Sequence, residues 1–144
     1  MNITIITEAD STIGIGHLSR TIAISKELIC KGYKITFLSH SELAQKILKE
    51  VKLLDFKKIN DKKSIIDHLK IYLPKFVIID VLHHNFKNYR FIESIAKTFT
   101  IISPLNKNIQ FFGDKAFLIG YDIDKWKVKK LSKNSNTKIY SGRA

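Results

Sequence analysis

Short apolar runs rich in β-branched residues recur along this chain and alternate with segments of helical periodicity. The clearest runs lie at residues 3–7, 33–38, 76–80 and 99–102. Apolar runs of this length are typical of parallel strands buried on both faces, with helices of about ten to fifteen residues as the crossovers between them. The alternation predicts an α/β fold built on a Rossmann-like, doubly wound parallel sheet.

Weaker patterns complete the predicted order of elements. Two further strands are expected, a short edge strand at 53–56 and another at 116–119. Helices are expected from about residue 18 to 29, over 41–50 with Ser41 as cap, over 61–72, and over 85–98. With 144 residues the chain has the size of one domain. We assign residues 1–125 to a single Rossmann-like domain and 126–144 to a basic linker or the start of a second domain.

The formal net charge of +12 is large for this length. Such a charge attracts phosphates, nucleic acid or an anionic membrane surface. The basic residues are almost all lysines scattered over predicted helix faces, which indicates a solvated surface. Tyr121, Trp126 and Tyr140 alternate with lysines near the end of the chain and keep a basic nucleic-acid-binding domain open as an alternative. Nucleic acid is nevertheless not the partner that we expect.

Cysteine and histidine usage bounds the chemistry further. The single cysteine, Cys30, lies in an apolar helical stretch, which predicts a buried thiol and no disulfide framework. The five histidines lack the spacing of a zinc site, so we predict no metal and no other cofactor. We expect a cytoplasmic protein without a membrane span, because no leader pattern is evident and no apolar run approaches the ~20 residues that a span requires.

The segment between the first strand and the first helix carries most of the functional signal. Gly14 and Gly16 allow a tight turn, and His17 follows at the start of the helix, where free backbone N–H groups favour anions. Asp80 ends its strand at the carboxyl edge of the sheet, beside this loop. Glu8, His17 and Asp80 are therefore predicted neighbours at a site for a phosphate, a sugar or a water.

Residues 8–20 resemble the amino-terminal signature of the UDP-sugar hydrolases of pseudaminic acid biosynthesis and their spore-coat polysaccharide relatives. The resemblance is most specific at Ile13, Gly14, Gly16, His17 and Arg20. It implies a fold equivalent to the amino-terminal half of a glycosyltransferase B protein. In that family a second domain, which would begin near residues 137–140, chiefly holds the UDP. The chain is expected to need a carboxy-terminal nucleotide-binding domain or a partner protein for activity.

The resemblance also implies a role for His17 as the general base that activates a water to displace UDP from the anomeric carbon of a UDP-sugar. Elementary electrostatics is compatible with that role, because the positive end of a helix dipole disfavours the cationic imidazole and keeps it able to accept a proton. The alternative is a capping histidine that only hydrogen-bonds its own loop.

The remaining candidate residues are assigned to substrate binding. Gly14 and Gly16 would shape the loop, while Arg20 would brace the start of the helix or meet an anion. Glu8 and Asp80 would orient the sugar or the attacking water. These residues do not distinguish hydrolysis from glycosyl transfer, nor do they name the sugar.

Other functions remain open on the sequence. A dinucleotide site would start from the same two glycines, but the third glycine of that fingerprint falls on Ser19. A non-catalytic or truncated sugar-nucleotide-binding module that requires a partner domain is a further alternative. The leading prediction is an incomplete UDP-sugar hydrolase or related glycosyltransferase-like protein that serves surface-glycan synthesis.

Overall fold

The computed structural model describes residues 1–12, 14–51, 54–102, 111–119 and 136–142. Its strands are β1 (Asn2–Thr7), β2 (Lys34–Ser39), β3 (Asp55–Lys58), β4 (Phe76–Asp80), β5 (Thr98–Ile102), β6 (Lys115–Ile119) and β7 (Lys138–Gly142). All pair in parallel in one sheet, in the order β3-β2-β1-β4-β5-β6-β7. The chain turns back between β1 and β4, so the predicted Rossmann-like, doubly wound fold is confirmed.

Three α-helices and one 3₁₀ segment connect the first five strands. They are α1 (Gly16–Cys30), α2 (Glu42–Glu50), α3 (Lys62–Tyr72) and the 3₁₀ segment His83–Ser94. The Ser41 hydroxyl accepts a hydrogen bond from the Ala44 N–H and caps α2 as predicted. Asp61 caps α3 and forms a capping box with Ser64. Such caps satisfy backbone donors that the first helical turn leaves free, which places both helix starts precisely.

The core has two layers, one on each side of the sheet. Helices α1 and α2 pack on one face, where Ile3 and Ile5 of β1 meet Leu18 of α1. Helix α3 and the 3₁₀ segment pack on the other face, where Ile6 of β1 contributes to the core. Successive side chains of a strand point to opposite faces, so β1 serves both layers and must be apolar almost throughout. This explains why β1 reads as a continuous apolar run.

The segment predicted as a helix over 85–98 is instead the 3₁₀ helix His83–Ser94. Its buried side chains, Phe86, Tyr89 and Ile92, recur every third residue. A 3₁₀ helix has three residues per turn, so this spacing aligns them on one face. In an α-helix the same three side chains would be offset from one another by about 60° at each step.

The end of the chain also differs from the expectation of a linker. Residues 138–142 form β7, which pairs with β6 from Lys115↔Lys138 to Ile119↔Gly142. Thr137 is buried and Ile139 packs against the core on the α3 side. The polar and basic stretch that suggested a linker therefore includes a short strand at the edge of the sheet. Ile13, Tyr121 and Trp126 lie outside the described residues.

Cys30 is exposed, so the prediction of a buried thiol is wrong. The buried stripe of α1 runs through Leu18, Thr21 and Ser25, and Ile29 packs against the core on the same stripe. One residue further rotates a helical side chain by about 100°. Cys30 is thereby turned away from the sheet. None of the helices in the described part of the chain has the length and apolar run that crossing a bilayer requires.

Candidate functional site

The predicted loop lies at the carboxyl edge of β1 and β4, where the strand order reverses. Thr7 of β1 pairs with Asp80 of β4, and α1 begins above them after the loop. Open α/β sheets bind ligands at this switch point, because the loops that leave the two strands diverge and open a crevice. The turn that feeds a helix is therefore present where the sequence predicts it.

Only one of the two loop glycines is required by the backbone. Gly14 has a φ of 77°, a left-handed conformation that side chains disfavour, and its N–H donates to the Asp10 carbonyl at 2.9 Å. Gly16 begins α1, and a Cβ added there would meet no atom within 4 Å. The backbone therefore tolerates a side chain at position 16, and the glycine leaves space above the helix start that a ligand can occupy.

His17, Arg20 and Asp80 form one hydrogen-bonded cluster. The His17 Nδ1 lies 2.7 Å from the Asp80 Oδ1. Arg20 donates from Nε to Oδ2 at 2.7 Å and from Nη2 to Oδ1 at 2.6 Å, a bidentate pair. Both partners of Asp80 come from a single turn of α1, because residues three apart share a helix face. The cluster fastens the start of α1 to the end of β4.

The contacts of His17 indicate its tautomer. A carboxylate accepts hydrogen bonds and an arginine only donates them. The 2.7 Å approach of Nδ1 to the Asp80 oxygen therefore requires a proton on Nδ1, and the Arg20 Nη2, 3.2 Å from Nδ1, is assigned to the carboxylate instead. In the neutral ring Nε2 then carries the lone pair. Within the described residues no hydrogen bond engages Nε2.

Burial decreases from the carboxylate outward. The Asp80 side chain is 0% exposed, the His17 side chain 10% and the Arg20 side chain 24%. Asp80 thus lies behind the other two and reaches bulk solvent through neither oxygen. The imidazole is mostly buried but keeps a small exposed fraction, and the Asp80 carboxylate that orients it is fully buried.

Glu8 lies next to this cluster and contacts a different segment. Its carboxylate accepts hydrogen bonds from the Leu82 N–H at 3.2 Å and from the Asn85 side-chain amide at 3.0 and 3.1 Å. Burial, and secondarily the Glu8 charge and hydrogen bond, raises the pKa of Tyr89. The structure therefore unites His17, Arg20 and Asp80 directly, whereas Glu8 holds the start of the 3₁₀ segment that follows Asp80.

Two further polar features lie at this site: the free N–H groups that the sequence predicts at the start of α1, and the Thr7 hydroxyl, which it does not predict. The N-cap of α1 is Ile15, which supplies no side-chain hydrogen bond, and the first intrahelical bond runs from the Ser19 N–H to the Ile15 carbonyl. The N–H groups of residues 16–18 consequently have no acceptor inside the helix. The Thr7 hydroxyl, beside Asp80, is buried and has no partner among the described residues. A threonine as the last residue of β1, at the carboxyl edge of the sheet, is the signal that could have pointed to it.

The donor set of the site suits anions and hydroxyl groups. Backbone N–H groups at a helix start and a neighbouring arginine favour phosphate or carboxylate, and an imidazole lone pair accepts a proton. In the described part of the chain, no group of three or more histidine, cysteine or acidic side chains is arranged to hold a metal ion.

No protein-family model matches this chain, and comparisons with curated proteins and with solved structures find no match either. The geometry of the His17, Arg20 and Asp80 cluster is therefore the structural observation that bears on function. A fold of this type by itself hosts many unrelated activities.

Proposed function

We propose that the chain is the amino-terminal domain of a UDP-sugar hydrolase, or of a related glycosyltransferase-like protein of surface-glycan synthesis, with His17 as general base. The observation that carries the proposal is the 2.7 Å contact of the His17 Nδ1 with the buried Asp80 carboxylate. That contact orients the ring and leaves Nε2 as the proton acceptor at the carboxyl edge of the sheet. We place the reaction in the cytoplasm.

In the proposed reaction the His17 Nε2 removes a proton from water as the water oxygen bonds to the anomeric carbon. The bond from that carbon to the diphosphate oxygen breaks, and UDP leaves with the electron pair. Asp80 acts through His17, since its oxygens are occupied by His17 and Arg20. Arg20 holds Asp80 in place. Because the Arg20 side chain is 24% exposed, it can also bind an anionic group of the substrate.

The start of α1 supports the binding part of the proposal. Its N–H groups and positive dipole end favour a phosphate or a sugar hydroxyl in the space above Gly16. The uridine would be held by a carboxy-terminal domain or partner protein, as the resemblance implies. Without that half the substrate is poorly positioned, and positioning is worth up to roughly 7–11 kcal/mol of a reaction barrier.

The test is UDP-sugar hydrolysis by the chain completed with its carboxy-terminal nucleotide-binding domain, compared with the chain alone. For His17→Ala we expect the turnover of the completed protein to fall by about 10²–10⁴-fold, the usual contribution of a positioned base. His40→Ala, which alters an exposed histidine, is the matched control and should retain turnover. Equal turnover by the His17→Ala protein would refute the assignment of the base.

Analysis of the products distinguishes the two reaction types that the site allows. Release of free sugar with UDP shows hydrolysis, whereas appearance of the sugar on an added acceptor alcohol shows transfer. The same His17→Ala variant should suppress either product, because deprotonation of the attacking hydroxyl is common to both.

A further inference from the structure

One part of the sheet surface is apolar and bears none of the described helices. On the α1 side, α1 and α2 pack over β1 and β2, but β4 to β7 present an apolar groove of about 550 Å³ bounded by Ile24 and Leu28 of α1. We call this groove the open face. Its aromatic side chains, one on each strand, are Phe76, Phe99, Phe117 and Tyr140.

The four rings of the open face form two stacked pairs, and in each pair one flat side of each ring is covered by the other. Phe76 stacks on Phe99 with centroids 4.7 Å apart, and Phe117 stacks on Tyr140 at 5.4 Å. Rings stacked between neighbouring strands stand upright on the sheet and turn their edges outward. Nucleobases bind proteins mainly by stacking on free ring faces. The open face therefore suits aliphatic side chains better than nucleobases.

Beyond the rings, toward the carboxyl ends of the strands, the open face becomes aliphatic. Ile78, Ile101 and Ile119 line that part of the groove, and Phe117 is 37% exposed between the two parts. Strands of five residues are about 16 Å long, a length that three turns of α-helix cover. On the same side of the sheet α1 and α2 pack over β1 and β2, so a helix fits the open face in both size and chemistry.

A row of lysines borders the open face at the amino ends of the strands. Lys115 pairs directly with Lys138 across β6 and β7, and the Lys115 ammonium lies 5.4 Å from the Phe99 ring and 5.5 Å from the Tyr140 ring. The Lys97 ammonium lies 5.9 Å from the Phe99 ring. Like charges directly opposed on neighbouring strands destabilise a sheet. None of these lysines forms an ion pair with an acidic side chain of the described residues.

From these observations we propose that the open face docks an amphipathic α-helix of a partner, with acidic residues along one flank. Its apolar side would cover the groove, and its carboxylates would meet Lys97, Lys115 and Lys138. A second copy of this chain is a poor occupant, because two such faces would bring two rows of lysines together in a protein of net charge +12. The inference is independent of the reaction proposed for His17.

The probe is a synthetic helix of about four turns, with leucines spaced for one apolar face and glutamates on one flank. A matched peptide carries lysine at every glutamate position. We expect the acidic peptide to bind the chain in fluorescence anisotropy, with an affinity that falls as salt rises, and the basic peptide to bind at least about tenfold more weakly. No binding of the acidic peptide, or equal binding of both, overturns the proposal.

Two sets of variants locate the binding. Phe117→Glu should lower the affinity for the acidic peptide by about tenfold or more. Ile71→Ser, at an apolar residue of α3 that is 69% exposed, should leave that affinity unchanged. Lys97→Glu combined with Lys115→Glu should reverse the preference toward the basic peptide without disturbing the core. Melting curves identify any variant that does not fold.

Three further outcomes would refute the proposal, the first two by assigning the open face to a different occupant and the third by placing the peptide elsewhere. One is a concentration-dependent dimer of the wild-type chain that Phe117→Glu abolishes. Another is binding of a peptide copied from residues 120–135 of this chain in preference to the acidic helix. The third is binding of the acidic peptide that Phe117→Glu and the lysine reversals leave unchanged.

Discussion

His17 and His68 are both buried histidines on helices that pack against the same sheet, yet their surroundings differ in kind. On the α1 side, His17 meets a carboxylate and a guanidinium. On the α3 side, His68 is 0% exposed, its Nε2 lies 3.1 Å from the Thr4 hydroxyl, and its ring stacks on Tyr72. Its Nδ1 has no partner among the described residues. The Asp80 carboxylate fixes which nitrogen of the His17 ring carries the proton. His68 contacts a hydroxyl and an aromatic ring and packs in the core.

The largest change in stability is expected when the acidic partner of His17 on the α1 side, Asp80, is removed. Asp80→Ala should lower the free energy of unfolding by about 3–5 kcal/mol, because it leaves a partly buried arginine without its counter-charge. Thr4→Val, the matched removal of the partner of His68, should cost about 1–3 kcal/mol, since only a neutral hydrogen bond is lost. Urea denaturation measures both, and equal losses would show that the two histidine environments do not differ energetically.

The next largest effect is the pH dependence of stability, which we expect to arise from His68. Burial, and secondarily the Lys57 charge, lowers the pKa of His68 to about 4, whereas an unfolded histidine titrates near its ordinary value of 6.5. The unfolded chain therefore binds the proton first. Stability from this residue is complete above pH 6.5 and decreases as the pH falls toward 4, by about 3 kcal/mol in all.

The measurement compares urea denaturation at pH 7 and near pH 4 for the wild type and for His68→Gln. The glutamine retains a hydrogen-bonding group for Thr4 but does not titrate. The variant should therefore lose about 3 kcal/mol less stability than the wild type on acidification. Identical pH dependence in the two proteins would exclude His68 as the source.

A smaller effect is expected in the loop that positions His17. Gly14→Ala should destabilise the protein by about 1 kcal/mol, because position 14 is left-handed. Gly16→Ala should be neutral or stabilise by about 0.5 kcal/mol, because the helix start accepts a side chain. If the space above residue 16 takes the substrate, Gly16→Ala should nevertheless weaken UDP-sugar binding to the completed protein. Destabilisation by both alanines would contradict the loop geometry.

The smallest expected effect is a change in which ring nitrogen of His17 carries the proton. Long-range ¹H–¹⁵N spectra of the neutral ring should show the proton on Nδ1. Asp80→Asn should shift the population toward the Nε2–H form, since an amide can donate to Nδ1 as well as accept from it. The spectrum of His68 serves as an internal control and should not change. A proton on the His17 Nε2 in the wild type would remove the proposed proton acceptor.

The sequence predicted the parts of this molecule that rest on periodicity. Phe76–Asp80 is the strand at 76–80 as predicted, because a strand whose side chains join apolar clusters on both sides of the sheet is a continuous apolar run. The contact of His17 with Asp80 followed from the strand order of a doubly wound sheet. The 3₁₀ segment was missed because its three-residue spacing of Phe86, Tyr89 and Ile92 is close to that of an α-helix over so short a stretch.

Features that depend on tertiary partners were less predictable. The assignment of Glu8 to Leu82 and Asn85 reflects how the loop after Asp80 folds back, which no local pattern encodes. Residues 138–142 contain too few apolar residues to indicate a strand, and they pair because β6 offers an unoccupied edge. The substrate-binding roles of Glu8, Gly14, Gly16 and Arg20 stay predictions for the experiments above to decide.

The bond between His17 and Asp80 joins residues 63 positions apart in the chain. Neither β1 with its following helix nor the strand that bears the carboxylate can create it separately. An imidazole with a defined proton position thus arises only after β4 has inserted beside β1. Any chemistry that depends on this proton position therefore requires the folded sheet. In a nascent or damaged copy that lacks the contact, no carboxylate would orient the imidazole.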